Sequence, residues 1–284
     1  MSERDGYQPG VPCWVDTLQP DPEAAMGFYR GLFGWEFTEP GSMPGEPPGR
    51  YFVARLRGRD VAGVGSQPPE GAPPVPAWNT YVWVESADDA AEAVKGAGGG
   101  IVVAPFDVLP AGRMAVVTDP AGALFCLWEA KGRKGAQLVS EPGAWSMSLL
   151  NTRDPEGSKA FYGAVFGWAT EAFDVGQGEV TLWRLPGYVG GEPEQPVSRE
   201  VVAVMAPMTS ERFPDGVAPH WSIDLWVDDV DATADRAAEL GGRVVAPPYD
   251  TPGFRQAVLG DPQGATFSVS KVTVGPAPED GGVG

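Results

Sequence analysis

The chain has 284 residues, enough for two ordinary domains that each bury a core of their own. Its 38 acidic residues outnumber its 20 Lys and Arg, and the net charge of −18 disfavours nucleic acid and anionic membranes as partners. Two cysteines make no disulfide framework, and a polar N-terminus without any long apolar run predicts a soluble, cytoplasmic protein that spans no membrane.

Three blocks of sequence occur twice, in the same order. The offsets between the copies are 133, 143 and 142 residues, and such regular spacing indicates an internal duplication. The paired blocks are DPEAAMGFYRGLFGWEF (21–37) with DPEGSKAFYGAVFGWAT (154–170), PAWNTYVWVESADDA (76–90) with PHWSIDLWVDDVDAT (219–233), and RMAVVTDPAGALFCLWE (113–129) with RQAVLGDPQGATFSVSK (255–271).

The first block of each copy has the pattern of a strand followed by a helix. Asp21 and Asp154 stand where helix N-caps belong, and apolar residues recur behind them at helical spacing. Gly34 and Gly167 are placed to end these helices. A short strand and a hairpin-like pair of strands then complete a βαβββ module.

The second part of each copy repeats this rhythm. A strand at 78–85 or 221–228 leads into a helix that ends at paired glycines. Two further strands flank a tight turn, DPAG or DPQG, whose Pro and Gly positions suit a β-turn. The chain therefore contains four βαβββ modules. We expect two domains, over 8–133 and 140–273, and a disordered tail over 274–284.

The motifs DPE…FY…FGW, DVDA…GG and DP.G..F, in that order and twice over, resemble the vicinal-oxygen-chelate superfamily of glyoxalases, bleomycin resistance proteins and dioxygenases. The resemblance covers about 260 of the 284 residues. The chain is similar in particular to tandem, actinobacterial-type members of this superfamily, some of which are linked to antibiotic biosynthesis. The resemblance implies an α+β fold in which four modules form two cup-shaped mixed sheets. The helices would lie outside each cup and a ligand cavity inside it.

Metal-using members of this superfamily bind a divalent ion with His, Glu or Gln inside the cup. Tryptophan cannot ligate a metal, Met and Ser are weak ligands, and Cys is a soft one. Neither pairing of modules offers three suitable ligands, so we expect no metal and no cofactor. The resemblance puts the ligand places at Trp14 and Met147 on the first strand, near Ala77/Trp78 and His220/Trp221 on the fifth, and at Cys126 and Ser268 on the last.

Ten tryptophans suggest what could fill the cups instead. Because side chains alternate between the faces of a strand, a cavity-facing Cys126 would bring Trp128 to the same face, and Trp14 and Asp16 would also face inward. With Trp78 these residues would enclose a planar aromatic or cationic ligand beside one carboxylate. The alternative is that the tryptophans plug a vestigial cavity.

Other candidates lie in both copies. Arg113 and Arg255 occupy matching positions, where they would neutralise a ligand anion or form structural ion pairs. His220, the single histidine, could serve as an acid or base at the cavity mouth, or simply pack at a strand edge. The inward positions of the second copy, Met147 and Ser268 among them, are smaller, so the two cavities should be chemically unequal. Four tryptophans at matching positions are expected in the shared core, namely Trp35, Trp168, Trp83 and Trp226.

Two functions of different classes follow from these features. The first is metal-independent binding of a bulky, largely aromatic small molecule. The alternative is an enzyme, lyase, isomerase or dioxygenase-like, that acts on an aromatic or polyketide-type metabolite in antibiotic biosynthesis, with Asp16, Arg113 and His220 for proton chemistry. Retention of the fold as an interaction scaffold is a third reading. Four modules can complete both cups alone, so we expect a monomer, with a homodimer as the alternative.

Overall fold

The two halves of the chain each form one mixed β-sheet, and two helices belong to each half. This is the tandem α+β architecture that the sequence predicts. In the part of the chain that is described, no helix is long and apolar enough to cross a membrane. The predicted tail over 274–284 lies outside the described residues. The computed structural model describes residues 3–43, 48–68, 75–175, 178–190, 198–211 and 213–273.

The sheet of the first half, which we call the first cup, has the strand order β2-β4-β5-β1-β6-β9-β8-β7, with β3 paired to β4. Its elements are β1 (Pro12–Gln19), α1 (Pro22–Phe33), β2 (Glu36–Phe37), β3 (Gly41–Met43), β4 (Gly49–Leu56), β5 (Arg59–Ser66), β6 (Trp78–Trp83), α2 (Ala87–Gly96), β7 (Gly100–Val108), β8 (Gly112–Thr118) and β9 (Leu124–Ala130).

The sheet of the second half, the second cup, has the order β11-β12-β13-β10-β14-β17-β16-β15. Its elements are β10 (Trp145–Thr152), α3 (Pro155–Phe166), β11 (Ala169–Asp174), β12 (Glu179–Arg184), β13 (Val201–Pro207), β14 (His220–Trp226), α4 (Val230–Glu239), β15 (Arg243–Thr251), β16 (Phe254–Gly260) and β17 (Thr266–Val272).

Each cup is completed by the two modules of its own half. The modules join where their first strands pair antiparallel, β1 with β6 in the first cup and β10 with β14 in the second. The second cup has the eight predicted strands. The first has nine, because the short strand β3 adds to the outer edge of β4.

The helix ends follow the capping residues. Asp21 Oδ1 accepts a hydrogen bond from the Ala24 amide at 3.0 Å, and Asp154 caps α3 in the same way. Both helices end at a glycine in the left-handed conformation, Gly34 at φ 71° and Gly167 at φ 72°. A residue with a side chain is strained in that conformation, which is why a glycine ends each helix.

The motifs that carry the family resemblance contact each other across the two halves. Tyr29 on α1 donates a hydrogen bond to Asp261 in the second DP.G turn at 2.9 Å. Tyr162 on α3 makes the reciprocal contact with Asp119 in the first DP.G turn at 3.3 Å. Gln19 adds a bond to Asp261 at 2.8 Å. These buried contacts hold the first helix of each half against the sheet of the other half.

Two of the recurring tryptophans pack in the core as predicted. Trp35 is fully buried and its indole N–H donates to the Gly143 carbonyl at 2.7 Å. Trp168 donates to the Gly10 carbonyl at 2.8 Å. Each ring therefore ties a helix end in one half to a segment near the start of the other. Trp226 differs from this expectation, because it lines the cavity described below.

Candidate functional site

The interior of the first cup is occupied by its own side chains. Trp14, Tyr81 and Trp128 face inward and are almost completely buried. The Trp14 indole N–H donates to the Tyr51 hydroxyl at 2.8 Å, and the ring of Tyr81 meets that of Trp128 edge to face. The inward orientation of Trp14 and Trp128 agrees with the predicted strand parity. The rings fill the space that a ligand would need.

Asp16 lies at the centre of this group and is only 1% exposed. Its Oδ2 accepts hydrogen bonds from Tyr51 at 2.9 Å and Tyr81 at 2.7 Å, and Asn79 donates to Oδ1 at 2.9 Å. Burial raises the pKa of the Asp16 carboxyl, and the three hydrogen bonds oppose that shift. Because both oxygens already have protein donors, this carboxyl has the contacts of a structural core group.

Two glycines make room for the Tyr51 ring. A Cβ atom at Gly63 would lie 1.9 Å from the Tyr51 hydroxyl, and one at Gly65 would lie 2.9 Å from the ring. Above Trp14, the Arg133 guanidinium lies 5.7 Å from the ring centre and forms an ion pair with Asp60 at 2.8 Å. Tyr51 therefore fills part of the interior of the first cup, and Arg133, in the segment that follows β9, covers the Trp14 ring.

Trp78 lies on the opposite face of the sheet from the one expected. The register of β1 with β6 places Tyr81 beside Trp14 and Trp78 beside Thr17, so Trp78 points toward the helices. Its ring packs edge to face on Tyr29, with 5.4 Å between centroids. The expectation that Trp78 forms part of a ligand-binding wall is therefore wrong. It packs in the core between the sheet and the helices. The error arose because the strand register was unknown from the sequence.

The matched arginines also face away from the cups. Arg113 Nε donates to Asp88 on α2 at 2.8 Å, and Arg255 Nε donates to Asp231 on α4 at 2.6 Å. Arg255 has a second carboxylate partner, Asp250, at 3.0 Å. The expectation that these arginines neutralise a ligand anion is therefore wrong. They form structural ion pairs, which was the alternative prediction.

The second cup contains a cavity of about 150 Å³. Strands β10 to β13 of the first module and β14 to β17 of the second module, with residues next to them, form its walls. Most of the wall is apolar, and one carboxyl group reaches it. The lining residues are Ser146, Met147, Leu149, Phe173, Val175, Val180, Leu182, Val201, Val204, Asp224, Trp226, Thr251, Pro252, Phe254, Gln256 and Ser270.

Asp224, on β14, is the polar centre of this cavity and is 7% exposed. Ser146 and Ser270 donate hydrogen bonds to the same oxygen, Oδ2, at 2.6 and 2.5 Å. Among the described residues no donor reaches the other oxygen, Oδ1. Burial raises the pKa of Asp224 to about 6, against the effect of the two serine hydroxyls. The cavity therefore presents a half-satisfied carboxyl group that titrates close to neutral pH.

Strand register identifies the row of positions where a metal ligand set would have to lie. Asp224 is opposite Met147 on β10 and opposite Ser268 on β17, so these three share one face in adjacent strands. In the first cup the corresponding row is Trp14, Tyr81 and Cys126. The fifth-strand place is thus Tyr81 or Asp224, three or four residues beyond the places inferred from the sequence.

His220 is at the far end of the same strand. It pairs with Asn151. It lies four positions before Asp224, which at about 3.3 Å per residue is a distance of roughly 13 Å. Its Nδ1 is 2.9 Å from the Ala218 carbonyl oxygen, and its ring packs edge to face on Phe213. His220 is not among the residues that line the cavity, so the structure does not bring it together with Asp224.

These rows do not fit a divalent metal ion. The row in the second cup offers one carboxylate, one thioether and one hydroxyl, whereas hard divalent ions require several oxygen or imidazole ligands. The row in the first cup offers a thiol at Cys126, whose pKa burial raises, so the metal-binding thiolate is disfavoured. Within the described ranges no cluster of three or more His, Cys, Asp or Glu is placed to hold a metal.

A larger groove, of about 350 Å³, lies on the surface between the end of α1 and the start of α4. Its carboxylates, Asp228 and Asp229, are exposed, and Asp229 already caps α4 by accepting from the Ala232 amide at 3.0 Å. The groove therefore lacks a buried polar group, and we place the candidate site in the smaller cavity at Asp224.

The Asp224 site was missed because duplication suggested matching positions in the two copies. Asp224 aligns with Tyr81 at the offset of 143, so neither copy shows the carboxyl as a shared feature. The available signal was the strand sequence WSIDLW, in which one carboxylate interrupts apolar residues. A buried charge of this kind is costly and therefore points to a site.

Comparison with known proteins agrees with this fold. A model of the Glyoxalase/Bleomycin resistance protein/Dioxygenase superfamily matches residues 14–127, and one of a glyoxalase-like domain matches residues 147–270. The chain belongs to this superfamily.

Two relatives match over nearly the whole chain. CFP32 of Mycobacterium tuberculosis (strain CDC 1551 / Oshkosh) is 40% identical over 285 residues, which cover 98% of this chain and 100% of CFP32. The anthracycline biosynthesis protein DauV of Streptomyces sp. (strain C5) is 36% identical over 294 residues, covering 97% of this chain and 98% of DauV. Among solved structures, the Mn(II)-bound glyoxalase from Novosphingobium aromaticivorans has the same fold, with a TM-score of 0.60, 17% identity, and coverage of 93% of this chain and 82% of that chain.

Proposed function

We propose that the second cup binds an aromatic small molecule and does so without a resident divalent metal ion. The observation that carries this proposal is Asp224, a largely buried carboxyl that lines an apolar cavity and whose Oδ1 has no donor among the described residues. A polar group in such a place is costly unless a partner binds it. Ligand sites combine an apolar wall with a few polar groups in this way.

The size and lining of the cavity support an aromatic group as the bound part. A cavity of about 150 Å³ is known to hold one benzene ring, so a bulkier ligand would insert one ring and leave the rest in the mouth. Phe173, Trp226 and Phe254 supply aromatic surface, and aliphatic side chains supply most of the rest.

Metal independence is supported by the chemistry of the donor atoms. Asp224 is the single carboxylate in its row, and its Oδ2 is already held by two serine hydroxyls. Met147 and Ser268 complete the row with weak ligands.

The biological setting is proposed from the relatives and from the chain itself. DauV is named as an anthracycline biosynthesis protein, which supports a role in antibiotic biosynthesis. The two free cysteines suit the reducing cytoplasm. Each cup is complete within one chain, which supports a monomer over the homodimer.

A second candidate is an enzyme that transfers a proton, such as a lyase or isomerase. It is favoured by the pKa of Asp224, about 6, because an acid or base works best when its pKa is near the working pH. Asp16 is less suited, since protein donors occupy both its oxygens.

A thermal-shift and fluorescence titration with single-ring aromatics tests the proposal. We expect stabilisation by about 2.7 kcal/mol at a hundredfold excess over Kd, together with a change in tryptophan emission from Trp226. Ser270→Trp introduces the side chain that the first cup has at the matching position, Trp128. This variant should remain folded and lose both signals. Trp14→Ala should leave both signals in place.

Two results would overturn this proposal. One is a flat response to diverse aromatics, or a response that Ser270→Trp leaves unchanged. The other is about one equivalent of Zn, Fe, Ni or Mn per chain by elemental analysis, with stability that a chelator lowers.

A further inference from the structure

We propose that the ligand presents a protonated amine to Asp224 and places its ring against the aromatic wall of the cavity. This inference rests on the proposed function, because it specifies the chemistry of the ligand at the same site. It separates amines from the alcohols, carbonyl compounds and acids that an aromatic-binding cavity could also take.

The first support is the arrangement of hydrogen bonds on Asp224. Both serine hydroxyls donate to Oδ2, and this stabilises the ionised carboxylate rather than the neutral acid. Within the described ranges Oδ1 is left without a donor. An ammonium group would supply both a hydrogen bond and a charge to that oxygen, and charge-assisted bonds of this kind are about twice as strong as neutral ones.

The second support is the missing counter-charge. The cavity walls contain no Lys, Arg or His among the described residues. The other buried carboxylates, Asp16, Asp60, Asp119 and Asp261, have donors on both oxygens. Those of Asp60 are cationic, Arg55 and Arg133, at 2.8 Å each. An ionised Asp224 has no such partner, and a buried unpaired charge is strongly destabilising, so a cationic ligand would relieve a real cost.

The third support comes from the aromatic lining and the overall charge. Trp226, Phe173 and Phe254 line the same cavity as Asp224, and aromatic faces attract cations, with Trp the best. The net charge of −18 also favours approach of a cation over that of an anion. A ring that carries an alkylammonium group matches both the wall and the carboxyl.

The pH dependence of binding has a sign that other ligand classes do not share. In the empty protein the pKa of Asp224 is raised to about 6, so the carboxylate that binds an amine forms only as the pH rises above that value. The groups facing Asp224 are Ser146 and Met147 from β10 and Ser270 from β17, none of which titrates in this range. Amine binding should therefore tighten with rising pH, whereas a carbonyl ligand would need the protonated acid and would weaken.

The test compares three compounds of similar size, phenethylamine, phenethyl alcohol and hydrocinnamate, by calorimetric titration. At about pH 8 we expect the amine to bind roughly 30-fold more tightly than the alcohol, the ratio that a charge-assisted bond of about 2 kcal/mol gives. At about pH 5 most of that advantage should be lost, because Asp224 is then mainly protonated. Asp224→Asn should remove the preference but keep alcohol binding within about threefold, whereas Asp16→Asn should leave the preference intact.

The outcomes separate this inference from the proposed function. Equal affinity for amine and alcohol, tightest binding of the acid, or a preference that survives Asp224→Asn would overturn the amine while leaving an aromatic site. If none of the three compounds binds the wild-type protein and the broader aromatic screen is also flat, the proposed function fails and the amine inference fails with it.

Discussion

The two cups are built on the same strand order, yet three of their equivalent side chains differ greatly in size. In the first cup these side chains meet across the interior and exclude a ligand. In the second cup their smaller counterparts leave the cavity at Asp224 open. Strand register and repeat offset give the pairs as Trp14 with Met147, Tyr51 with Val180, and Trp128 with Ser270.

The buried carboxyls of the two cups come from different strands. Asp16 lies on β1, where the second cup has Leu149, and Asp224 lies on β14, where the first cup has Tyr81. Asp16 is satisfied by three protein donors, whereas no donor from the described residues reaches Oδ1 of Asp224, which lines the cavity. The first cup is therefore part of the core, whereas the second has room for a ligand beside its carboxyl group.

The largest expected effect comes from removing the Tyr51 ring. Tyr51→Val, which copies Val180, should lower the free energy of unfolding by about 4 kcal/mol, because it leaves a cavity and removes the partner of both Trp14 and Asp16. Urea unfolding followed by circular dichroism measures this. Val180→Ala at the matching position should cost about 1 kcal/mol, since that side chain borders an existing cavity. Equal costs at the two positions would contradict the difference between the cups.

The pKa of Asp224 predicts an effect on stability that depends on pH. Its folded-state pKa, about 6, exceeds the usual value of about 3.9, so this carboxyl stabilises the fold at low pH and that contribution is lost as pH rises from about 4 to above 6. Asp224→Asn should remove that loss. The stability of the variant relative to wild type should rise by about 3 kcal/mol across this range.

Denaturant unfolding at several pH values measures this difference. Asp88 is a control of opposite sign, because its ion pair with Arg113 lowers the pKa of that carboxyl. Asp88→Asn should therefore gain no stability relative to wild type as pH rises. A pH-independent effect of Asp224→Asn would show that the carboxyl titrates normally.

Much of the fold could be predicted because short-range chemistry decides it. The N-caps Asp21 and Asp154 and the left-handed Gly34 and Gly167 fix helix ends through contacts within a few residues. The repeat then placed the same elements in both halves. The pairing of Tyr29 with Asp261 could not be predicted, because the two residues are 232 positions apart and only the packed halves bring them together.

The site was harder to predict because it depends on register. Strand alternation correctly predicted that Trp14, Asp16 and Trp128 face the interior of the first cup. It did not give the face of Trp78, because that face depends on the register between β1 and β6. The predicted inequality of the cups agrees with their contents. The ligand was expected beside the tryptophans of the first cup, whereas the cavity at Asp224 lies in the second. Whether the tryptophans enclose a ligand or fill a core depends on how closely their rings approach one another, and the sequence does not contain those distances.

A smaller effect is expected where the first cup makes room for Tyr51. Gly63→Ala would place a Cβ 1.9 Å from the Tyr51 hydroxyl and 2.9 Å from Asp16 Cβ, and should cost about 2 kcal/mol through overpacking. In a Tyr51→Val background the main clash is gone, so most of that cost should disappear. A double-mutant cycle by urea unfolding measures the coupling. Additive costs would mean that Gly63 is needed for a reason other than the ring.

The smallest effect separates the two serines near Asp224. Ser270→Ala removes one hydroxyl donor to Oδ2 and should cost the ionised carboxylate about 1 kcal/mol, which moves the Asp224 titration to higher pH. Ser268→Ala alters the position in the strand row that a metal ligand would occupy. Among the described residues no hydrogen bond joins Ser268 to Asp224, so this variant should change stability by less than about 0.5 kcal/mol. The pH profile of unfolding and the affinity for phenethylamine read out both variants. If Ser268→Ala weakened binding as much as Ser270→Ala, the row of Met147, Asp224 and Ser268 would act as one ligand-binding set, and the assignment of Asp224 and its two serines as the polar centre would be wrong.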